Sequence, residues 1–160
     1  MPLLLKKIIR DDHPFLKEML YDALFVADGE PPFPAAIVDS PEISKYICNW
    51  NSQADFGLIA QHDNESIGAV WGRSFDERNK GYGYIDAVTP EITIALKSNF
   101  RNKGIGTEML DAFCRLAKEE GHHALSLSVD KRSRAVTFYE RLGFSIVCEM
   151  GTAYTMIKQL

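Results

Sequence analysis

"NFRNKGIGTEML", residues 99–110, is a glycine-bearing turn that runs directly into an amphipathic stretch, and its reading governs the rest of the chain. Upstream, Ile92, Ile94 and Leu96 alternate with Thr93 and Ala95, the period-two pattern of a strand with one buried face. Downstream, Leu110, Phe113 and Ala117, flanked by Met109 and Leu116, predict a core-facing helix over 104–120, which Gly121 ends as a C-terminal cap. Backbone N–H groups at the start of such a helix lack an internal partner and sit at the positive end of its dipole, so they suit a phosphate. Glycine lets the anion approach closely. An ordinary turn with solvated cations is the plain alternative.

Working outward, Leu125, Leu127 and Val129 alternate in a further strand. A helix is expected from about Ser133 to Leu142, then strands at Phe144 to Cys148 and at Ala153 to Ile157. Towards the N-terminus, Tyr84 to Asp86 reads as a brief strand after the polar loop "DERNKGYG". "DFGLIAQ" and "SIGAVWGRSF", separated by the turn signal "HDNE", read as a hairpin. Leu3 to Ile9 is a first strand. His13-Pro14 opens a helix through Phe15, Met19, Leu20 and Leu24, and "DGEPPFP" breaks it. Pro41 begins a second short helix with Ser40 as its cap, its face formed by Ile43, Tyr46 and Ile47 and closed by Trp50. No repeat, low-complexity tract or linker interrupts this order. The expected fold is a single α/β (α+β) domain over 1–160 around a mixed sheet.

Composition sets outer bounds. The 160 residues are 46% hydrophobic and 25% charged, enough for one domain that buries roughly 70% of its unfolded surface. A formal net charge of −4 argues against nonspecific nucleic-acid or anionic-membrane binding and leaves basic or neutral substrates open. Cys48, Cys114 and Cys148 have neither disulfide-framework nor zinc spacing, so no metal is expected and a reducing cytoplasm fits best. No run approaches the ~18 apolar residues of a membrane span, and the N-terminal leucines are too few for a signal peptide.

Two phosphate loops are excluded by spacing. A Walker A loop needs GxxxxGK[ST], which is absent. A dinucleotide fingerprint fails because Met109 stands where its third glycine belongs and seven residues separate Leu96 from Gly104. Charge placement adds an independent hint. Six cations fall in two windows, Lys97, Arg101 and Lys103 in one and Lys131, Arg132 and Arg134 in the other, each after a predicted strand and beside a helix start. If those strands are neighbours, both windows share the carboxyl edge where open α/β sheets bind ligands, and the ligand would carry several phosphates. Two solvated basic loops remain the alternative.

Arg101-x-x-Gly104-x-Gly106 after an apolar strand resembles the acetyl-CoA pyrophosphate loop, [Q/R]xxGx[G/A], of the GCN5-related N-acetyltransferases. "AVTFYERLGF", residues 135–144, is similar to that family's late helix and following strand; the resemblance covers residues 83–148. It implies a mostly antiparallel mixed sheet of six to seven strands flanked by helices on both faces. The sheet would splay between the strand before the loop and the strand at Leu125 to Val129. It implies acetyl-CoA as co-substrate, with backbone groups of Leu96 and Lys97 facing the pantetheine arm. Arg101, Asn102, Lys103, Gly104, Ile105, Gly106 and Thr107 would face the pyrophosphate. Tyr139 matches a tyrosine that many members hold beside the coenzyme sulfur. Ser133 stands where relatives often have a coenzyme-contacting asparagine.

Acyl transfer to an amine needs the neutral nucleophile, yet an amine of pKa about 10.4 is only roughly one part in 2,500 neutral at pH 7, a deficit of about 4.6 kcal/mol. A general base is therefore valuable, and Glu91 and Asp86 are the candidates. Glu91 has odd parity with Ile92, Ile94 and Leu96, so its facing the cleft would depend on a bulge. Solvated carboxylates at a strand end are the alternative for both. A proton donor for the departing thiolate is Tyr139, whose alternative is a core aromatic beside Ala135, Phe138 and Leu142. His13, His62, His122 and His123 read as surface or structural, and Asp28 and Glu30 as a solvated loop that could attract a cationic amine.

The expected activity is direct, ternary-complex acetylation of a primary amine, on a small molecule or a protein, with a homodimer compatible. The rival is a non-catalytic acyl-CoA sensor or regulatory domain, and a third reading is a nucleotide-binding enzyme that would bind ATP or NAD instead.

Overall fold

A computed structural model describes residues 2–160. The sheet has seven strands: β1 (Leu4–Lys7), β2 (Phe56–His62), β3 (Glu65–Arg73), β4 (Glu91–Leu96), β5 (Ala124–Asp130), β6 (Ser145–Met150) and β7 (Ala153–Gln159). Their order is β1-β2-β3-β4-β5-β7-β6. Every neighbouring pair is antiparallel except β4 and β5. The β2–β3 turn uses Asp63 and Asn64 at φ 50° and 65°, two left-handed residues in succession as a tight hairpin requires.

Helices cover both faces. On one, α1 (His13–Ala23), α2 (Pro41–Ser44) and the turn after α2 pack Leu16, Met19, Ile43, Tyr46 and Trp50 onto Ile59, Ala69 and Trp71 of the sheet. On the other, α3 (Ile105–Glu119) sets Met109, Leu110, Phe113 and Ala117 on Val70, Ile92, Leu125 and Leu127, with α4 (Ala135–Arg141) beside it. The apolar stripe of α3 is fully used, since all six of its buried residues recur at helical spacing. Gly121, at φ 92°, ends it as the sequence predicts.

Three expectations need correction. Tyr84 to Asp86 forms no strand: Tyr84 N–H closes a turn onto Gly81 C=O, and Asp86 Oδ1 accepts the N–H groups of Val88 and Thr89 at 3.0 and 2.8 Å. A carboxylate that satisfies two nearby amides holds a turn in place of a ladder. Ser40 does not cap α2 with its side chain, because its hydroxyl donates instead to Ile37 C=O at 2.6 Å. The late helix is shorter than expected: Ser133 N–H turns back to Asp130 C=O, and regular helix begins at Ala135.

What positions the site is the seam between β4 and β5. These strands are registered at a single pair, Glu91 opposite Ser126, and part beyond it. Because they run parallel, their carboxyl ends open on the same edge. Both basic windows of the sequence follow those ends.

Candidate active site

A cavity of about 1260 Å³ occupies the opening between β4 and β5. Its walls include Leu20 and Tyr46 from one face of the sheet, Gly106 and Phe138 from the other, and both diverging strands. It therefore passes through the sheet. Strand alternation sets which backbone groups border it. Lys97 N–H donates to Ile67 C=O on the β3 side at 2.8 Å, whereas Pro90 C=O accepts from Ser126 N–H on the β5 side at 2.9 Å. Even-numbered residues of β4 thus aim N–H and C=O at β5, and past the single registered pair Ile94 and Leu96 aim them into the gap. Of the two backbone positions the family resemblance implies, Leu96 borders the cavity. Lys97 instead uses its N–H in the sheet and its C=O to accept from Phe100 N–H.

At one end lies the turn at 101–107. Asn102 and Gly104 both adopt left-handed backbone, at φ 62° and 82°, and Gly104 is the N-cap of α3. Added bulk at Gly104 would meet nothing within 4 Å, so glycine stands there for its conformation. The first regular bond of the helix is Glu108 N–H to Gly104 C=O, which leaves the amides of Ile105, Gly106 and Thr107 without a helical acceptor. Ile105 is buried and contributes main chain only.

The cations divide sharply. Lys97 pairs with Glu65 at 3.3 Å, Lys131 with Glu149 at 2.9 Å and Arg132 with Asp130 at 3.0 Å. Arg101 folds back so that its Nε donates to Leu96 C=O at 2.9 Å, tying the turn to the end of β4. Among the described residues, Lys103 and Arg134 have no carboxylate partner. Ser133 borders the cavity, its hydroxyl accepting from Ala135 N–H at 3.1 Å.

At the other end, Glu91 is 4% exposed and aims its carboxylate towards the α2 side. The register of β3 with β4 runs unbroken, so no bulge turns it. Glu91 reaches the cavity because the parting strands open both faces. Tyr46 Oη donates to Glu91 Oε2 at 2.6 Å and itself accepts Tyr82 N–H at 2.8 Å. Oε1 of Glu91 has no hydrogen-bond partner, and neither has Oγ of the facing, fully buried Ser126. Burial raises the Glu91 carboxyl to about 7, a shift that the Tyr46 hydrogen bond, a main-chain contact from Gly83 and the Lys45 charge partly oppose. Asp86 is exposed in its turn and does not border the cavity.

Tyr139 lines the cavity from α4, its ring packed at 5.4 Å from that of Phe138 and 5.7 Å from that of Phe144. Burial pushes its phenol up to about 12. Of the histidines, His122 stacks on Phe56 at 4.8 Å, away from the cavity. Among the described residues no cluster of three or more His, Cys, Asp or Glu side chains could hold a metal, and no helix is long and apolar enough to cross a membrane.

Sequence reasoning missed Tyr46, Tyr82 and Ser126. Tyr46 counted as a core aromatic of the second helix; it lies in the turn just after α2, its ring is in the core, and only its hydroxyl belongs to the site. Nothing in the local sequence of Tyr82 or Ser126 marks either.

A mixed sheet opened between two parallel central strands, with a helix start at the mouth of the gap, defines the acetyltransferase fold that the loop motif resembles. The family model described as "Acetyltransferase (GNAT) family" matches residues 16–144, and the chain belongs to that family. A mycothiol acetyltransferase from Propionibacterium freudenreichii is 34% identical over 96 residues, which is 57% of this chain and 28% of that protein. The match thus spans little more than a quarter of that relative's length. Two solved structures share the fold. The paia N-acetyltransferase from Thermoplasma acidophilum, in complex with coenzyme A, is 20% identical with a TM-score of 0.71 and full coverage of both chains. The ribosomal-protein-alanine N-acetyltransferase from Brucella melitensis is 18% identical with a TM-score of 0.68, covering 98% of this chain and 99% of that one.

Proposed function

We propose that the chain is an acetyl-CoA-dependent N-acetyltransferase that acetylates a primary amine, most simply a small cationic one, in a single ternary complex. The groups around the cavity fit the coenzyme. Unpaired amides at the start of α3, with Arg134 on the cavity wall and Lys103 in the same turn, match a pyrophosphate. The open backbone groups of Ile94 and the Leu96 N–H match an amide-bearing arm lying along a strand, Leu96 C=O being engaged by Arg101. Acetyl-CoA, when bound, supplies an acetyl thioester; an amine and that thioester yield an amide and a free thiol. The acceptor amine must lose a proton on the way, and the thiolate must gain one.

One observation carries the reading: Glu91 is buried at the apex of the gap with no side-chain partner on Oε1, and that burial pushes its carboxyl up to about 7. A base is most effective when its pKa lies near the working pH, and an orphaned buried carboxylate oxygen calls for a functional explanation. The Glu91 carboxylate takes the amine proton, directly or through one water. Tyr139 keeps its phenolic proton throughout the physiological range and offers it to the departing sulfur. Asp86, spent on two amides at the surface, drops behind Glu91 as the base. The net charge of −4 favours a cationic acceptor, and three free thiols fit a reducing cytoplasm.

The test is release of coenzyme A from acetyl-CoA against a panel of polyamines, amino acids, arylalkylamines and peptide N-termini, with Glu91→Gln and Tyr139→Phe alongside. Turnover of at least one amine that both variants impair supports the enzyme. Tight acetyl-CoA binding with no turnover across the panel would instead support the sensor.

A further inference from the structure

Few groups hold the Glu91 carboxylate, the Gly83 main chain among them. Tyr46 Oη is the single side-chain hydrogen bond to it, at 2.6 Å on Oε2, and the opposite oxygen is buried with no side-chain partner. The phenol cannot swing away. It also accepts Tyr82 N–H at 2.8 Å, and its own main chain is pinned by Trp71 Nε1, which donates to Tyr46 C=O at 2.9 Å. The preceding residue is pinned as well, since Arg73 Nη1 donates to Lys45 C=O at 2.8 Å while the same guanidinium grips Asp55 with its other nitrogens. From behind, the loop carrying Gly81 closes on the carboxylate so tightly that a Cβ there would fall 2.1 Å from Oε1 and 2.8 Å from Tyr46 Oη.

We infer that Tyr46 is a positioning residue for the transfer reaction: its hydroxyl fixes the orientation of the Glu91 carboxylate at the apex of the gap. This rests on the reading of Glu91 as the base. A hydrogen bond to the ionised form favours it, so the same contact sets the pH at which Glu91 becomes competent. Tyr82, an exposed wall of the cavity, shares the phenol through its amide, so the loop beside the acceptor end is bonded to the group that holds the base.

The groups facing Glu91 are few. Lys45, on the α2 side, lowers its pKa through space, while its ammonium donates to Lys80 C=O. Arg73, opposite on β3, is committed to Asp55. Ser126, opposite on β5, is neutral. Tyr46 is therefore the one neighbouring side chain whose removal changes the hydrogen bonding of the carboxylate itself.

The measurement is kcat/KM against pH for the best amine of the panel, in wild type, Tyr46→Phe and Glu91→Gln. Loss of the phenol should move the acid limb of Tyr46→Phe upward by about half a pH unit or more and lower kcat about tenfold at pH 7. KM for acetyl-CoA should stay within about twofold, since Tyr46 lies at the end remote from the α3 turn. A 3-fluorotyrosine introduced at position 46, more acidic and of nearly the same shape, should move the limb the other way. It serves as the deciding variant if Tyr46→Phe does not fold. An acid limb that stays put in Tyr46→Phe, or in the fluorinated protein, while Glu91→Gln abolishes it, overturns the role of Tyr46 and spares Glu91. If Glu91→Gln retains the wild-type limb, the reading of Glu91 falls and this inference with it.

Discussion

In the proposed reaction the working groups at the α3 end of the cavity are main-chain amides of consecutive residues. At the Glu91 end they are side-chain oxygens drawn together across 45 residues of sequence between Tyr46 and Glu91 and 36 between Tyr46 and Tyr82. The first needs only a strand, a left-handed turn and a helix start, so one dozen residues specify it. The second needs the sheet assembled, α2 docked and the Gly81 loop closed before a carboxylate near pKa 7 exists at all. Binding capacity is thus local and cheap to encode, whereas proton chemistry is a property of the tertiary fold. Variants at the two ends should fail differently: at the amide end in KM, at the carboxylate end in kcat and pH dependence.

The largest effect belongs to Glu91→Gln. Loss of the proposed base should lower kcat by roughly 10²–10³-fold and erase the acid limb near pH 7, read from steady-state rates between pH 5.5 and 9. Stability should respond with the opposite sign. The folded pKa of Glu91 lies above its ordinary 4.5, so the folded state binds more protons between that value and about 7, and stability falls as pH rises through this window. The penalty is absent below the window and complete above it, on the order of 3 kcal/mol. Glutamine carries no such penalty. Urea unfolding at pH 8.5 should therefore find the variant gaining on wild type relative to pH 5, and an equal difference at both pH values would show that Glu91 is not held against its charge.

Tyr139→Phe comes next, with an expected loss of about 10–100-fold in kcat and little change in KM for acetyl-CoA. Because burial pushes this phenol up to about 12, it is protonated across the whole assay range. The ratio of wild-type to variant rates should accordingly stay flat from pH 6 to 9. A ratio that varies in parallel with the Glu91 limb would assign both effects to one titration and remove the division between donor and base.

Smaller again are the charge deletions at the amide end. Lys103→Ala and Arg134→Ala should each raise KM for acetyl-CoA about 5–10-fold at low salt, with kcat unchanged and the effect shrinking as salt rises. Lys131→Ala supplies the contrast, because its ammonium is already spent on Glu149 at 2.9 Å and should change KM less than about twofold. Equal effects at all three positions would mean that the basic edge acts only through its summed charge.

The same division accounts for what the sequence disclosed. Alternation in Ile92 to Leu96 and the stripe of α3 placed strand, turn and helix correctly, because each pattern is set by neighbours within a few residues. So did the paired basic windows, whose common edge follows from β4 and β5 lying side by side and parallel. Which cations are free was not legible, since Glu65 and Glu149 reach Lys97 and Lys131 only across strands. Parity made Glu91 doubtful, because alternation assumes a closed sheet and this sheet parts at that residue. Tyr84 to Asp86 read as a strand for want of any local sign that Asp86 would bind the amides two and three residues ahead. Tyr46 was hidden differently: its ring satisfies the helical apolar pattern, and a pattern of apolarity carries no information about a hydroxyl.

Asp86 gives the smallest effect on turnover and the sharpest check on the contrast between the two carboxylates. Its Oδ1 caps Val88 and the buried Thr89, so Asp86→Ala should cost about 1 kcal/mol of stability through lost side-chain-to-backbone bonds. For a domain of this size that is a fall of roughly 2–4 °C in Tm by calorimetry. At a temperature where the variant stays folded, kcat should remain within about twofold of wild type and the acid limb should not move, because nothing connects Asp86 to the cavity except the chain leading into β4. Were kcat instead to fall as far as in Glu91→Gln with the fold intact, the proton would be leaving through the surface turn. The buried carboxylate with its free oxygen would then need a structural explanation, and its orphaned Oε1 offers none.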